Sequence, residues 1–257
     1  MGGLVTVQMD EQLARDAAAA ARARVAAVTG GADALVEAVR VRVGRIGAGT
    51  VVAQLNAEVN GRRIRVQETA ADLGEALDRL ADGLRRRITA VVAGWSPRPW
   101  PRRGRGRGLA AATAPAPDAP RPLAEVPCGA ESSSIVRRKR VGLVRCSPDA
   151  AARTMDAMDF DIHLFADPVT GTDAVVYRVG PTGYRLARTA AAGPPLRPAV
   201  PFTLSPCGAP ELTEEQAVAR LSAAELPFLF FAHPATRRGR VLYRRFDGRL
   251  GLIEAAS

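Results

Sequence analysis

The residues of this chain whose types and spacing could do chemistry are arginines. Arg15 and Arg22 stand two helical turns apart, and Arg79 and Arg86 repeat that spacing, with Arg85 and Arg87 beside them. Arg40 and Arg42, and Arg63 and Arg65, alternate instead with Val39, Val41, Ile64 and Val66, which is the period of an extended strand. The first pattern lines cations along one face of a helix, the second along one face of a sheet. Cations on a rigid frame suit a polyanion. Each phosphate they neutralise releases counterions, and the frame spares the entropy of ordering loose side chains. Two blander readings stand beside this one. Acids early and arginines late are what a helix dipole alone favours, and a charged strand face keeps a sheet soluble.

Other chemistry finds little material. Cys128, Cys146 and Cys207 are odd in number and widely spaced, and His163 and His233 are isolated, so neither a metal site nor a disulfide framework is expected. No nucleophile, base and orienting group cluster together, so the chain reads as a non-enzyme with no catalytic residues and no cofactor. It opens on no secretory leader, and no run approaches the roughly 20 apolar residues of a membrane span. A cytoplasmic protein with no membrane partner and no small-molecule substrate is the expectation. At 257 residues and 47% hydrophobic, the chain can build more than one core, and a net charge of +10 asks for an anionic partner, nucleic acid before membrane. Lys139 is the only lysine. A GC-rich genome gives the same bias, so arginine richness by itself carries no functional weight.

The elements that must position these residues follow from periodicity. Leu4 to Gln8 alternates like a strand. Asp10 offers a cap to an alanine-rich helix reaching Val28, with Leu13 opposite the Arg15 and Arg22 face, and Gly30-Gly31 closes it. Strands follow from Leu35 and from Val51 to Val59; Asn60-Gly61 marks a hairpin, and Arg62 to Gln67 supplies the last strand. Leu73, Leu77, Leu80, Leu84, Ile88 and Val91 then recur at helical spacing. The order is β-α-β-β-β-α over residues 1–94. Residues 95–134 carry the run Arg102 to Gly108 within a Pro, Arg, Gly and Ala tract and read as a flexible linker.

Beyond the linker the chain repeats itself. Ser147 to Arg178 lies on Thr213 to Arg244 without a gap, so Phe165-Ala166-Asp167-Pro168 falls on Phe231-Ala232-His233-Pro234 and Val175-Val176-Tyr177-Arg178 on Val241-Leu242-Tyr243-Arg244. Each copy reads as β-α-β-β-β, the first over 135–192 and the second, after a short linker, within 193–257. The turns fall at Thr170-Gly171, Thr182-Gly183, Arg238-Gly239 and Asp247-Gly248. Units this small bury little surface alone, so an intramolecular pseudo-dimer is expected, in an α+β chain.

Ile135-Val136-Arg137-Arg138-Lys139-Arg140, Asp173 to Arg178, Gly183-Tyr184-Arg185-Leu186 and Val241 to Glu254 resemble the C-terminal domain of long-form bacterial ribosome hibernation promoting factors. Ala71 to Leu80 and the N-terminal element order resemble the ribosome-binding domain of that family. The duplicated end is most similar to its actinobacterial, dormancy-associated members. The resemblance implies a partner, the ribosome, met through small-subunit 16S rRNA and ribosomal proteins near the decoding centre. There the N-terminal domain would exclude mRNA and tRNA, with Arg15, Arg22, Arg40, Arg42, Arg63, Arg65, Arg79, Arg85, Arg86 and Arg87 as candidate RNA contacts. It also places aromatics near the dimerising sheet face, making Phe165, Tyr177, Phe231 and Tyr243 candidates for pairing the two copies. Single-copy members dimerise and pair ribosomes; the duplication implies instead a monomer that stabilises single 70S ribosomes in stress or dormancy. A pairing dimer giving 100S particles, a nucleic-acid-binding transcriptional modulator and an RNA-processing enzyme are the alternatives.

Overall fold

The structure is a computed structural model that describes residues 5–9, 15–46, 49–97, 134–179, 182–224, 226–245 and 248–256. The helix start at Asp10, Leu13, the linker over 98–133 and the turn at Asp247 lie outside the described residues. The chain divides into two compact units, Met1–Ser96 with Asp156–Phe160, and Pro97–Met155 with Asp161–Ser257.

The first unit runs β1 (Thr6–Met9), α1 (Arg15–Gly30), β2 (Val36–Ile46), β3 (Thr50–Val59), β4 (Arg62–Ala70) and α2 (Leu73–Val92). The strands lie in sequence order, with β1 parallel to β2 and the rest antiparallel. Asn60 and Gly61 both take positive φ, 48° and 73°, the hairpin turn that matches strand twist. Asp72 caps α2 by accepting from the Glu75 N–H at 2.9 Å. Both helices cover one face of the sheet, where Val25, Val41, Leu55, Ile64, Leu77 and Leu84 share a core. A Cβ on Gly83 would stand 2.4 Å from Val66 Cγ1, so α2 approaches β4 more closely than any side chain there permits.

The sequence gives no warning of a bulge in β2. The register with β3 shifts between Glu37 and Arg40, and Ala38 takes φ 51°. Val36 faces the core, so unbroken alternation would turn Arg40 and Arg42 inward. The extra residue reverses the phase: Val39, Val41 and Val43 are buried and both arginines are exposed.

The second unit holds both repeats: β5 (Ile135–Val141), α3 (Pro148–Ala157), β6 (Ile162–Asp167), β7 (Thr172–Val179) and β8 (Gly183–Arg188), then β9 (Phe202–Leu204), α4 (Glu214–Ala223), β10 (Phe228–Ala232), β11 (Gly239–Arg244) and β12 (Leu250–Ala255). The expected β-α-β-β-β order is there, but neither copy keeps its own first strand. The sheets run β6-β7-β8-β9 and β10-β11-β12-β5, so β5 pairs in parallel with the last strand of the second repeat and β9 with the last strand of the first. The cause lies just after each strand. Arg145 bridges to Ala166 in β6, and Glu211 to Ala232 in β10, on the edge farthest from β8 or β12. A strand whose exit is tied to one edge cannot reach the other edge of the same sheet, but it can reach its neighbour's.

The exchange is fastened unequally. Arg138 of β5 donates twice to Glu214 on α4, at 3.0 and 2.6 Å, and Arg140 donates to Glu254 at 3.0 Å. Pro148 stands where Glu214 would fall in the first repeat, and β9 pairs through only Phe202, Thr203 and Leu204.

Between the sheets, Leu164, Val175, Phe230 and Val241 form a common core with Tyr177 and Phe228 against it. The rings of Tyr177 and Phe228 meet edge to face at 5.1 Å between centroids. The other aromatics expected to pair the copies lie elsewhere. Phe231 packs with Ala217, Leu221 and Leu252 in the helix-side core of its own repeat, and Phe165, which alternates with the inward Leu164, is fully buried. Tyr243 lies over Gly251, where a Cβ would be 2.4 Å from its ring, and under the Lys139 ammonium at 5.3 Å. Strand alternation separates residues that share an aromatic label but differ by one position in phase.

Candidate nucleic-acid interface

The face of the first sheet away from the helices carries polar ranks that cross the strands. Cross-strand register sets Thr6, Arg40, Asn56 and Arg65 in one line and Gln8, Arg42, Gln54 and Gln67 in the next. The arginines are held by neutral amides. Arg42 Nε donates to Gln8 Oε1 at 2.8 Å, and Arg65 Nη2 donates to Gln54 Oε1 at 3.3 Å and to Gln67 Oε1. An amide positions a guanidinium without cancelling its charge, so the rank keeps its attraction for phosphate. Arg40 and Arg63 are exposed. Neither makes an ion pair among the described residues. Carboxylates enter at the hairpin end, where Glu58 is paired in register with Arg63, and beside Gln67, whose backbone N–H donates to Asp159 Oδ2 at 3.1 Å.

The helix arginines are differently placed. Arg79 bonds Glu75 at 2.5 Å and the Thr69 carbonyl at 2.9 Å; Arg85 bonds Asp82 at 2.6 Å. Arg86 stands 3.9 Å from Glu68, and Arg24 meets Asp78 across the two helices at 2.5 Å. Arg87 is only partly exposed and pairs with Asp159, a residue of the same unit, at 2.8 Å. Arg22 is exposed on α1, and Arg15 is the first residue of that helix. Arg79, Arg85 and Arg86 are thus already matched by carboxylates, and a phosphate must compete for them; for Arg40, Arg42 and Arg63 on the sheet it meets an amide or solvent instead.

Sequence reasoning named the sheet arginines and missed the amides. Gln54, Asn56 and Gln67 alternate with Leu55, Ala57 and Val66, a period-two signal that was there to be read. Gln8 was hidden because its strand is short and its neighbour in space, Arg42, is remote in sequence.

Among the described residues, no group of three or more His, Cys, Asp or Glu could hold a metal ion, and no helix is long and apolar enough to cross a membrane. Cys146 and Cys207 are free thiols. Burial, and then Asp167, pushes the Cys146 thiol up, away from the reactive thiolate, and burial alone pushes His163 below the usual imidazole range.

Residues 130–186 match the family model described as Sigma 54 modulation/S30EA ribosomal protein C terminus. A protein named dormancy associated translation inhibitor, from two strains of Mycobacterium tuberculosis, is 41% identical over 270 residues, covering 98% of this chain and 85% of the relative. This chain belongs to the long-form ribosome hibernation promoting factor family. Within the hibernation factor family, the model matches the first of the two C-terminal copies here. Two solved structures are also similar. The N-terminal domain of Thermus thermophilus Protein Y is 22% identical with a TM-score of 0.31, over 35% of this chain and 99% of that one. A ribosomal subunit interface protein from Coxiella burnetii is 13% identical with a TM-score of 0.29, over 35% and 98%. Both scores are too low to carry an argument about this hibernation factor family member.

Proposed function

We propose that this chain is a non-enzymatic, cytoplasmic ribosome hibernation factor. Its domain over 1–94 binds the small subunit near the decoding centre through 16S rRNA and ribosomal proteins, and so blocks mRNA and tRNA. The observation that carries the reading is the near full-length match to a relative named as a translation inhibitor. Of the ten candidate arginines, Arg40, Arg42 and Arg63 form the leading RNA surface, since a neutral amide or solvent leaves them their charge; Arg65, half-buried over the Phe160 ring, borders it. Arg22, Arg79, Arg85 and Arg86 extend it, Arg15 begins the same helix as Arg22, and Arg87 serves the fold. The linker over 95–134 tethers this domain to copies 135–192 and 193–257, which pair within the chain. The factor is monomeric and holds single 70S ribosomes inactive. Cosedimentation resolved into subunits, single ribosomes and ribosome pairs tests this: the chain should travel with the small subunit and with single ribosomes. Absence from both sinks the reading, and accumulation of pairs restores the dimerising alternative.

A further inference from the structure

The face that joins the two repeats is built from equivalent positions that have diverged in opposite directions. When the copies are aligned without a gap, Leu164 corresponds to Phe230, Ala187 to Ile253, Thr172 to Arg238 and Asp173 to Gly239. Register confirms the correspondence: Tyr177 pairs with Arg185, and Tyr243 with Gly251. Leu164 and Phe230 lie in the common core, with Ala187 and Ile253 packed against it, so equivalent residues meet near a pseudo-two-fold axis.

The meeting is sharpest at Asp173 and Gly239. The Gly239 N–H donates to Asp173 Oδ2 at 2.8 Å, and Arg238 Nε donates to the same oxygen at 2.8 Å. A Cβ on Gly239 would stand 2.9 Å from Asp173 Cβ and 2.9 Å from Phe230 Cε2. Asp173 is only 7% exposed. A buried carboxylate here therefore needs a glycine opposite and an arginine beside that glycine, and only the second repeat supplies them.

We propose that this asymmetry makes pairing obligately unlike with unlike: the first repeat fits the second, and neither fits a copy of itself. Two first repeats would face Asp173 with Asp173, without Arg238, around a core short of volume at Leu164 and Ala187. Two second repeats would face Arg238 with Arg238, without a carboxylate, around a core crowded by Phe230 and Ile253. Unpaired buried charge, cavities and overpacking each disfavour the like pairs. Discrimination of this kind comes from what the wrong partner lacks as much as from what the right one offers. The inference concerns the second unit alone and does not rest on the ribosome reading.

Residue exchange across the axis in the full chain tests it. One half-exchange carries Leu164→Phe, Thr172→Arg and Asp173→Gly; the other carries Phe230→Leu, Arg238→Thr and Gly239→Asp; the third variant carries all six. Each half-exchange makes the two faces alike at these three positions and should lower the melting midpoint of the second unit by at least about 5 °C. The six-residue variant restores complementarity in mirror image and should recover most of that loss. If a half-exchange does not fold, the six-residue variant still decides, by folding or failing. Half-exchanges that melt as the parent does overturn the proposal. So does a six-residue variant no more stable than the weaker half, because the residues would then matter only through their own surroundings.

Discussion

At the scale of single residues, the distinction that matters is between a guanidinium held by an amide and one held by a carboxylate. Arg42 on Gln8 belongs to the first kind, Arg79 on Glu75 to the second. Arg40→Ala with Arg42→Ala should flatten the dependence of ribosome binding on log salt by about one to two and leave folding stability within about 0.5 kcal/mol, measured by cosedimentation across a salt series and by melting. Arg79→Ala with Arg86→Ala should change the slope less, since each guanidinium removed releases an acid that had offset it. Ala38 carries a different burden. It sits at φ 51°, so Ala38→Val puts a branched side chain into a left-handed backbone at a cost of about 1–2 kcal/mol, read by denaturant unfolding. The alternation of Arg40 and Arg42 with valines was legible in the sequence. The bulge that aims them was not, because alanine gives no sign of positive φ and only pairing with β3 reveals the slip.

At the scale of elements, the packing of α2 on β4 and of β5 on the second repeat make opposite demands. Gly83 has no room to grow, so Gly83→Ala should destabilise the first unit by about 1–3 kcal/mol by forcing α2 off Val66, visible as a lower melting midpoint for that unit. β5 depends on charge. The Glu214 carboxyl is held below the usual carboxylate range, first by its hydrogen bond from Arg138 and further by Arg240. A depressed folded pKa gives stability that is present above the unfolded value, about 4.5, and is lost as pH falls through the folded one. Docking of β5 should therefore weaken as pH drops below about 4.5. Glu214→Gln should remove roughly 1 kcal/mol at neutral pH and flatten that acid limb, followed by hydrogen exchange of β5 amides. Most elements were legible from periodicity and turn residues, as with Asn60-Gly61 and the Leu73 to Val91 stripe. Which sheet receives β5 was not, because a run such as Ile135 to Val141 specifies an extended strand and says nothing of its partner. The same limit misplaced Phe231, whose phase along its strand sends it toward Ala217 and Leu221 of α4.

At the scale of the whole molecule, the second unit is built from two copies that share their sheets, whereas the first is built from residues 1–96 with Asp156–Phe160 added to it. Removing Leu250 to Ala255 should abolish the melting transition of the second unit and leave that of the first, since the last strand of one sheet is also the seat of β5. Scanning calorimetry should register two transitions for the parent and one for the truncated chain; a surviving second transition would mean that β5 can dock elsewhere. The duplication itself was the most legible feature of the chain, and the pairing of the copies follows from their size. The pairing of β5 with β12 also sets a timetable. Ile135 is made early in this half and meets Leu250, so the strand that begins the unit waits, exposed and basic, for the strand that completes it. Contacts this distant along a chain form slowly, and here they cannot form at all until translation has passed the last strand. The chain is thus assembled in order: the helices and sheet of its first unit can form while synthesis continues, and its paired copies close only when the ribosome making it has nearly finished.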